Sequence, residues 1–166
     1  MIEVLWQELT SGLHDSKQLA HVIIRLLAAT ILGGLVGMQR ETTHKPAGLR
    51  THMLVSAGTA ALVIACASGG LSVEGWSRVI QGIVTGIGFI GAGTILKISE
   101  EHAIKGLTTA ASVWMTAAIG VTVGLGNLGI GVMVTLLALI ILWLWKVEHG
   151  LEGNRSKGFD HNDESR

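Results

Sequence analysis

Five long apolar segments dominate this chain, and each is close to the length that crosses a lipid bilayer. The hydrocarbon core of a membrane takes about 20 helical residues to span. Because lipid supplies no hydrogen-bond partners for backbone N–H and C=O groups, such segments must be helical. The sequence therefore predicts an all-α integral membrane protein, a polytopic bundle of about five transmembrane helices. The predicted segments are 21–38, 52–67, 79–96, 107–124 and 128–145.

Charge and cysteine content narrow the range of functions. Only 14% of the 166 residues are charged, the formal net charge is zero and the mean hydropathy is +0.54. The chain therefore lacks the basic field that nucleic-acid binding requires, and we expect a lipid-embedded protein with no nucleic-acid partner. Its single cysteine, Cys66, excludes a disulfide within one chain.

The distribution of lysine and arginine predicts the orientation, because cytoplasmic loops carry an excess of these residues. One side of the bundle would have only Lys17 and Arg78. Trp143 and Trp145, just before Lys146, are typical of an aromatic anchor at the membrane interface. We predict a multi-pass protein with its N-terminus outside and its C-terminus in the cytoplasm. The basic residues of the predicted cytoplasmic side are Arg40, Lys45, Arg50, Lys97, Lys105, Lys146, Arg155, Lys157 and Arg166.

We divide the chain into three parts. Residues 1–20 form an N-terminal extracytoplasmic segment, whose apolar spacing fits either an interfacial amphipathic helix or a frayed terminus. Residues 21–146 form the transmembrane domain. Residues 147–166 are polar and too few to bury a core, so we predict a disordered cytoplasmic tail.

The loop after the first segment concentrates the most charge at the membrane boundary. Its Pro-Ala-Gly sequence at 46–48 predicts a defined turn into the second helix. Glu41 lies among basic residues, so it would either pair with them to fix two helix ends or belong to a ligand or ion site. We predict a functional cluster at this boundary, formed by Arg40, Glu41, Gly48, Arg50 and Thr51.

Arg25 lies inside the first apolar segment, about one turn from its outer end. An arginine within a membrane span is a candidate functional residue. A long side chain this close to the interface can also extend its charged group back to water. The sequence leaves both interpretations open.

The third segment is rich in glycine. On a helical wheel Gly82, Gly86 and Gly93 share one face, while Gly88 and Gly91 lie nearly opposite. Small residues on two faces let neighbouring helices approach closely, so we expect this helix at the centre of the bundle or of a dimer. The alternative is an unwound stretch whose backbone carbonyls line a cation site.

Hydroxyl residues mark the fourth segment. Thr108 and Ser112 are one turn apart, with Thr109 beside them. Such hydroxyls can bond to carbonyls of their own helix or join two helices. The alternative is a polar path between the third and fourth helices, which would include Thr85 and Thr94.

Several kinds of site are poorly supported. No Asp or Glu lies within the five segments, and Mg²⁺ prefers carboxylate ligands and retained water, so an intramembrane magnesium site is not indicated. We expect no resident cofactor. The seven histidines show no metal-ligand or triad spacing, and no base is paired by spacing with Ser112, Thr108 or Cys66, so we do not expect an enzyme.

Four stretches together resemble the MgtC/SapB family of bacterial inner-membrane proteins. They are 33–41 (GGLVGMQRE), 47–52 (AGLRTH), 86–93 (GIGFIGAG) and 106–111 (GLTTAA), followed by Trp114 and Gly120. The resemblance implies a plasma-membrane protein tied to adaptation to low magnesium and, in pathogens, to survival inside host cells. Virulence-associated members look longer, with a soluble domain after the last helix, so we expect a short member that lacks this domain.

Two functions fit these observations. The first is a regulatory or scaffold protein that binds other membrane proteins through its glycine faces and the charged boundary cluster. The second is a component of transport for Mg²⁺ or another ion or small solute along the polar path. Both predict a homo-oligomer, most simply a two-fold dimer that uses a glycine face.

Overall fold

A computed structural model describes residues 1–4, 16–98 and 103–156, and only the backbone of 96–98, 103–104 and 145–156. Its fold is helical apart from one short hairpin between the third and fourth helices, in which β1 (Leu96–Ile98) pairs antiparallel with β2 (Ala103–Lys105). The sequence patterns did not predict this hairpin. Within the described residues 16–98 and 103–156 there are five helices: α1 (Ser16–Thr42), α2 (Leu49–Ser68), α3 (Val73–Gly93), α4 (Leu107–Gly124) and α5 (Leu128–Ser156).

Four of the five predicted apolar segments lie within one of these helices, the segment 79–96 lies mostly in α3, and α4 has the predicted bounds. Helix α3 ends at Gly93 rather than residue 96, because the N–H groups of Thr94 and Ile95 close a turn and the chain then enters β1. Helix α1 begins at Ser16, so the end of the predicted N-terminal segment is helical, whereas residues 5–15 lie outside the described part.

Helix α5 continues to Ser156, ten residues into the segment 147–166 for which we predicted disorder. This continuation has a local reason, because the stretch 147–152 contains no proline and includes the good helix formers leucine and glutamate. Residues 157–166 lie outside the described part of the chain.

Three helices are long and apolar enough to cross a membrane: α1, α2 and α4. The described side chains of α5 form a shorter apolar stretch, Leu128–Leu144. Large apolar side chains cover the outside of the bundle, including Phe89 (84% exposed) and Leu54 (73% exposed). Exposed apolar surface of this extent is typical of a helical bundle in lipid, so the chain is a membrane protein.

Helices α1, α2 and α4 pack against one another, and two glycine pairs set their spacing. A Cβ atom on Gly33 or Gly37 of α1 would lie within 3 Å of α2 atoms. A Cβ on Gly120 of α4 would collide with Thr59 and with the backbone of α2, and one on Gly124 would lie 2.9 Å from the Ala60 carbonyl oxygen. These glycines allow the backbones to approach closely, as small-xxx-small pairs do in membranes.

Helix α3 lies at the edge of this bundle rather than at its centre, and packs mainly on α4. Gly91 faces Ala110 of α4, where an added Cβ would make an ordinary contact of 3.7 Å. The other predicted packing glycines of α3 have no described atom within 4 Å of such a Cβ; they are Gly82, Gly86, Gly88 and Gly93. Within one chain the central position belongs to α4, because α4 packs against all four of the other helices and is the most buried of the three membrane-length helices.

Candidate functional site

The predicted boundary cluster lies at the end of the bundle where α1 and α3 finish and α2 and α4 begin, which we call the Arg40 end. Arg40, in the last turn of α1, is only 3% exposed. Its Nη2 donates a 3.0 Å hydrogen bond to Oγ1 of Thr109 in the first turn of α4. Its Nε is buried and has no hydrogen-bond partner among the described residues. The guanidinium therefore points into the bundle and links two helices.

Glu41 has a different role from the ion pair considered above. Its Oε2 accepts a 2.7 Å hydrogen bond from the backbone N–H of Leu49, the first residue of α2. Gly48 precedes that helix without a side-chain cap, and a Cβ there would lie 2.9 Å from the same carboxylate oxygen. A carboxylate at a helix N-terminus satisfies a free N–H and interacts favourably with the helix dipole. Glu41 thus joins the ends of α1 and α2 through a cap.

The turn between these helices is closed by backbone bonds. The N–H groups of His44 and Lys45 bond to the carbonyls of Glu41 and Arg40, and His44 has a φ of +54°. This is the Schellman arrangement, with a histidine where glycine is preferred. Arg50 is exposed, and the structure shows no ion pair among Arg40, Glu41 and Arg50. Thr51, half-buried in the first turn of α2, completes the predicted cluster.

His52 is a core residue that the sequence patterns did not single out. Its side chain is fully buried, with Nδ1 2.8 Å from the Gly48 carbonyl oxygen and Nε2 3.2 Å from Oγ of Ser112. Because a carbonyl only accepts, Nδ1 carries a proton. The Ser112 hydroxyl also lies 2.8 Å from the Thr109 carbonyl. Its hydrogen can therefore be donated either to that carbonyl or to Nε2 of His52.

The structure therefore gives Ser112 a neighbouring base that sequence spacing did not reveal. Ser112 is 4% exposed and His52 is 0% exposed, so no substrate reaches the hydroxyl without separating α2 from α4. The pair acts as a buried link between the two helices. One signal was present in the sequence: His52 is the first residue of a predicted apolar segment, and Ser56 follows one turn later on the same face.

A third link lies deeper in the bundle. The Thr59 hydroxyl of α2 lies within hydrogen-bond distance of Ala117 O of α4 (3.2 Å) and of two carbonyls of its own helix. Ser56, also buried, has no partner for its hydroxyl oxygen among the described residues. Three polar links thus follow one another along α4, and we call them the polar seam: Arg40–Thr109, His52–Ser112 and Thr59–Ala117.

The hydroxyls of the predicted polar path do not assemble between α3 and α4. Thr85 and Thr94 donate to carbonyls of α3 itself, at Gln81 and Gly91, and Thr85 is exposed. Thr109 faces α1, and Thr108 is exposed at the Arg40 end. The described contact between α3 and α4 is instead apolar; its residues include Ile83, Ile87, Val113 and Ala117.

A pocket of about 450 Å³ opens at the Arg40 end. Of the described residues that line it, three are basic and none is acidic. The set is Arg40, His44, Lys45, Pro46, Lys105, Gly106, Thr108 and Thr109. Gly106 has a φ of +100°, and a Cβ there would collide with the Thr94 carbonyl, so glycine is required for the chain to turn from β2 into α4.

Arg25 lies at the opposite end of the bundle. Its Nη1 donates a 3.1 Å hydrogen bond to the carbonyl of Gly124, the last residue of α4. A cation at a helix C-terminus satisfies a free carbonyl and complements the helix dipole. Arg25 is therefore bonded within the protein rather than extended to water.

The described residues contain no group of three or more His, Cys, Asp or Glu side chains that could hold a metal ion. The pocket at the Arg40 end is lined by cationic and hydroxyl groups, whereas Mg²⁺ prefers carboxylate oxygens. The residues present there do not fit a bound magnesium ion.

The fold and the site define a membrane protein built from apolar helices around a buried polar seam. Residues 26–151 match the model of the MgtC family, and the chain belongs to that family. The resemblance carried by the glycine and threonine motifs is thereby confirmed. No solved structure matches this chain.

Named relatives are about two fifths identical to this chain over the aligned residues. The "Putative magnesium transporter YhiD" of Escherichia coli (strain K12) is 42% identical over 130 residues, which cover 74% of this chain and 60% of that protein. Protein SrpB of Synechococcus elongatus is 40% identical over 71% of each chain. Protein MgtC of Brucella abortus (strain 2308) is 42% identical over 75% of this chain and 51% of its own length. The match thus spans less than two thirds of YhiD and of that MgtC.

Proposed function

We propose that this chain is a multi-pass inner-membrane protein of magnesium-limitation adaptation that acts as a regulator or scaffold on other membrane proteins. In this proposal all five helices cross the membrane, the N-terminus is outside and the Arg40 end faces the cytoplasm. The observation that carries it is the polar seam, because one buried polar side chain of α1 (Arg40) and two of α2 (His52 and Thr59) lie in hydrogen-bond contact with α4. The proposed function involves no catalytic step.

The electrostatics of the Arg40 end support this choice over cation transport. Arg40, Lys45 and Lys105 line the pocket there, so a divalent cation entering it would be repelled. Cation pathways are lined by carboxylates, carbonyls or hydroxyls that replace the hydration shell. The hydroxyls best placed for that purpose, those of Thr109 and Ser112, are buried and bonded to other helices.

Helix α3 supplies a surface for a membrane partner. Gly82 and Gly86 have open space beside them and line an apolar groove of about 450 Å³ between α2 and α3. Leu62 and Cys66 of α2 line its other side. Without side chains at the two glycines, another transmembrane helix can approach the α3 backbone closely. We propose that this groove receives a helix of a second copy or of the regulated membrane protein.

Two substitutions on α3 test this function. Replacing Gly86 with Leu places a side chain in the groove, its Cβ has no described atom within 4 Å, and the change raises helix propensity, so the monomer should keep its melting temperature. We expect it to lose crosslinked oligomer or partner and to fail to restore growth in low magnesium to cells that lack the protein. Gly88→Leu is the matched control, since Gly88 is equally open but does not line the groove.

If Gly86→Leu leaves both association and growth unchanged, the groove is not the regulatory surface. If it abolishes growth but not association, the groove serves another purpose and the scaffold role is contradicted.

Transport of magnesium is the second candidate, favoured by the name of the YhiD relative. It would require a cation route outside the closed seam, formed by several copies together. Flux through reconstituted protein separates the two candidates.

A further inference from the structure

The pocket at the Arg40 end combines positive charge with unused hydrogen-bond donors. Arg40 is the central feature, because the residue is only 3% exposed, lines the pocket and has a buried Nε with no partner among the described residues. Within the described part of the chain its guanidinium has one hydrogen bond, to the neutral hydroxyl of Thr109. Removing an arginine from water without a counter-charge is unfavourable. An anion in this pocket would remove that penalty.

The N-terminus of α4 faces the same pocket. This helix has 18 residues, and Gly106, which precedes it, provides no side-chain cap. The first backbone bond of the helix is from Ala110 N–H to Gly106 O, so the N–H groups of Leu107, Thr108 and Thr109 have no backbone acceptor among the described residues. Free N–H groups at a helix start, together with the helix dipole, bind phosphate and similar anions.

Two further basic residues complete the wall. Lys45 and Lys105 line the pocket from the α1–α2 turn and from the end of β2. Both lysines also have other interactions within the protein. Among the described residues, none that lines the pocket is acidic. The exposed Thr108 hydroxyl lies at its wall and can donate a further hydrogen bond.

We propose that this pocket is an anion site that binds a phosphate group, held between the Arg40 guanidinium and the N-terminus of α4. Arginine and backbone N–H groups are the usual protein donors to phosphate oxygens. The phosphate could belong to an anionic phospholipid, because the pocket lies where the helices end, or to a free phosphorylated solute. Ligand binding at this site would change the stability of the contact between the end of α1 and the start of α4.

The test uses the full chain purified in mild detergent, with two arms that separate these sources. In the first arm, inorganic phosphate is titrated against chloride at equal ionic strength, and the melting temperature and heat of binding are recorded. In the second arm, native mass spectrometry measures retained phosphatidylglycerol after incubation with equal amounts of phosphatidylglycerol and phosphatidylcholine. Saturable binding in the first arm identifies a free phosphate ligand, and selective retention in the second identifies a headgroup.

Variants distinguish a built site from general attraction to positive charge. Lys105→Gln and Thr108→Glu change exposed pocket residues, so the fold should persist, and we expect each to weaken binding by about tenfold or more. Arg50→Gln is the matched control, because it removes an exposed positive charge from the same end without lining the pocket. The proposal is overturned if neither arm detects binding, or if Arg50→Gln weakens binding as much as Lys105→Gln.

Discussion

Arg40 and Thr109 are 69 positions apart in sequence, yet their side chains meet in a buried 3.0 Å hydrogen bond that joins the end of α1 to the start of α4. Within the described residues the guanidinium makes no other hydrogen bond, and its Nε is left without a partner. This pair connects two of the four stretches that resemble the family, 33–41 and 106–111, at one end of the bundle. The stability of this joint is therefore open to direct test.

Replacing Thr109 with Val should destabilise the protein by about 1–3 kcal/mol, because the change is nearly isosteric but removes the acceptor of a buried charged donor. Thermal melting in detergent without added phosphate measures the effect. Thr108→Val is the matched control, since Thr108 is exposed and its replacement should leave the melting temperature almost unchanged. Equal effects of the two substitutions would contradict the assigned role of Arg40–Thr109.

Replacing Gly120 with Ala should destabilise the protein by about 1–3 kcal/mol or more, because the new methyl group would collide with Thr59 and the α2 backbone. Gly82→Ala in α3 adds the same methyl group into open space and should be neutral or stabilising by up to about 1 kcal/mol. Chemical and thermal unfolding of both variants checks the contrast. A destabilising Gly82→Ala together with a neutral Gly120→Ala would place the close-packed glycine face on α3 instead.

Removing the Glu41 cap tests the joint between α1 and α2. Glu41→Ala deletes the acceptor for the Leu49 N–H and should cost about 1 kcal/mol. Glu41→Gln keeps an oxygen acceptor and loses only the charge–dipole part, about 0.3–1 kcal/mol at low salt. The two melting temperatures should therefore rank wild type, then Gln, then Ala. A Gln variant less stable than the Ala variant would indicate an ion pair instead of a cap.

The turn residue His44 offers a stabilising substitution. A non-glycine residue with φ of +54° is unfavourable by about 1–2 kcal/mol. Glycine removes this strain, but part of the gain is offset because glycine loses more backbone entropy on folding. His44→Gly should therefore raise stability by about 0.5–1 kcal/mol in thermal melts without added phosphate. His44→Ala removes the same ring but keeps the Cβ, and it should give no gain.

Much of the helical framework follows from the sequence. Hydropathy located all five helices, and the bounds of α4 agree because Gly106 and the Leu125–Asn127 turn interrupt the apolar pattern on both sides. Hydropathy did not predict where α3 ends, because the last residues of the predicted segment are apolar although the chain has already left the helix and entered the hairpin. Hydropathy reports burial in lipid or protein and does not distinguish a helix end from a short strand at the interface.

The arrangement of the candidate site was harder to derive. The cluster residues Arg40, Glu41 and Gly48 were identified by their charge and turn chemistry, but their partners were not, because Thr109 and the Leu49 N–H are defined by the packing of helices. The glycines of α3 illustrate the same limit. Small residues permit close approach on any helix, and only the tertiary structure shows that Gly33, Gly37 and Gly120 have a neighbour whereas Gly82 has none.

Magnesium flux into liposomes that contain the purified protein tests most directly whether the closed polar seam excludes a transport role. Folded protein, verified by its melting temperature before reconstitution, should give Mg²⁺ uptake no greater than protein-free liposomes, and Thr108→Leu should behave identically. Saturable uptake that Thr108→Leu or Thr109→Val reduces would contradict the regulatory role and place a conduction path at the start of α4.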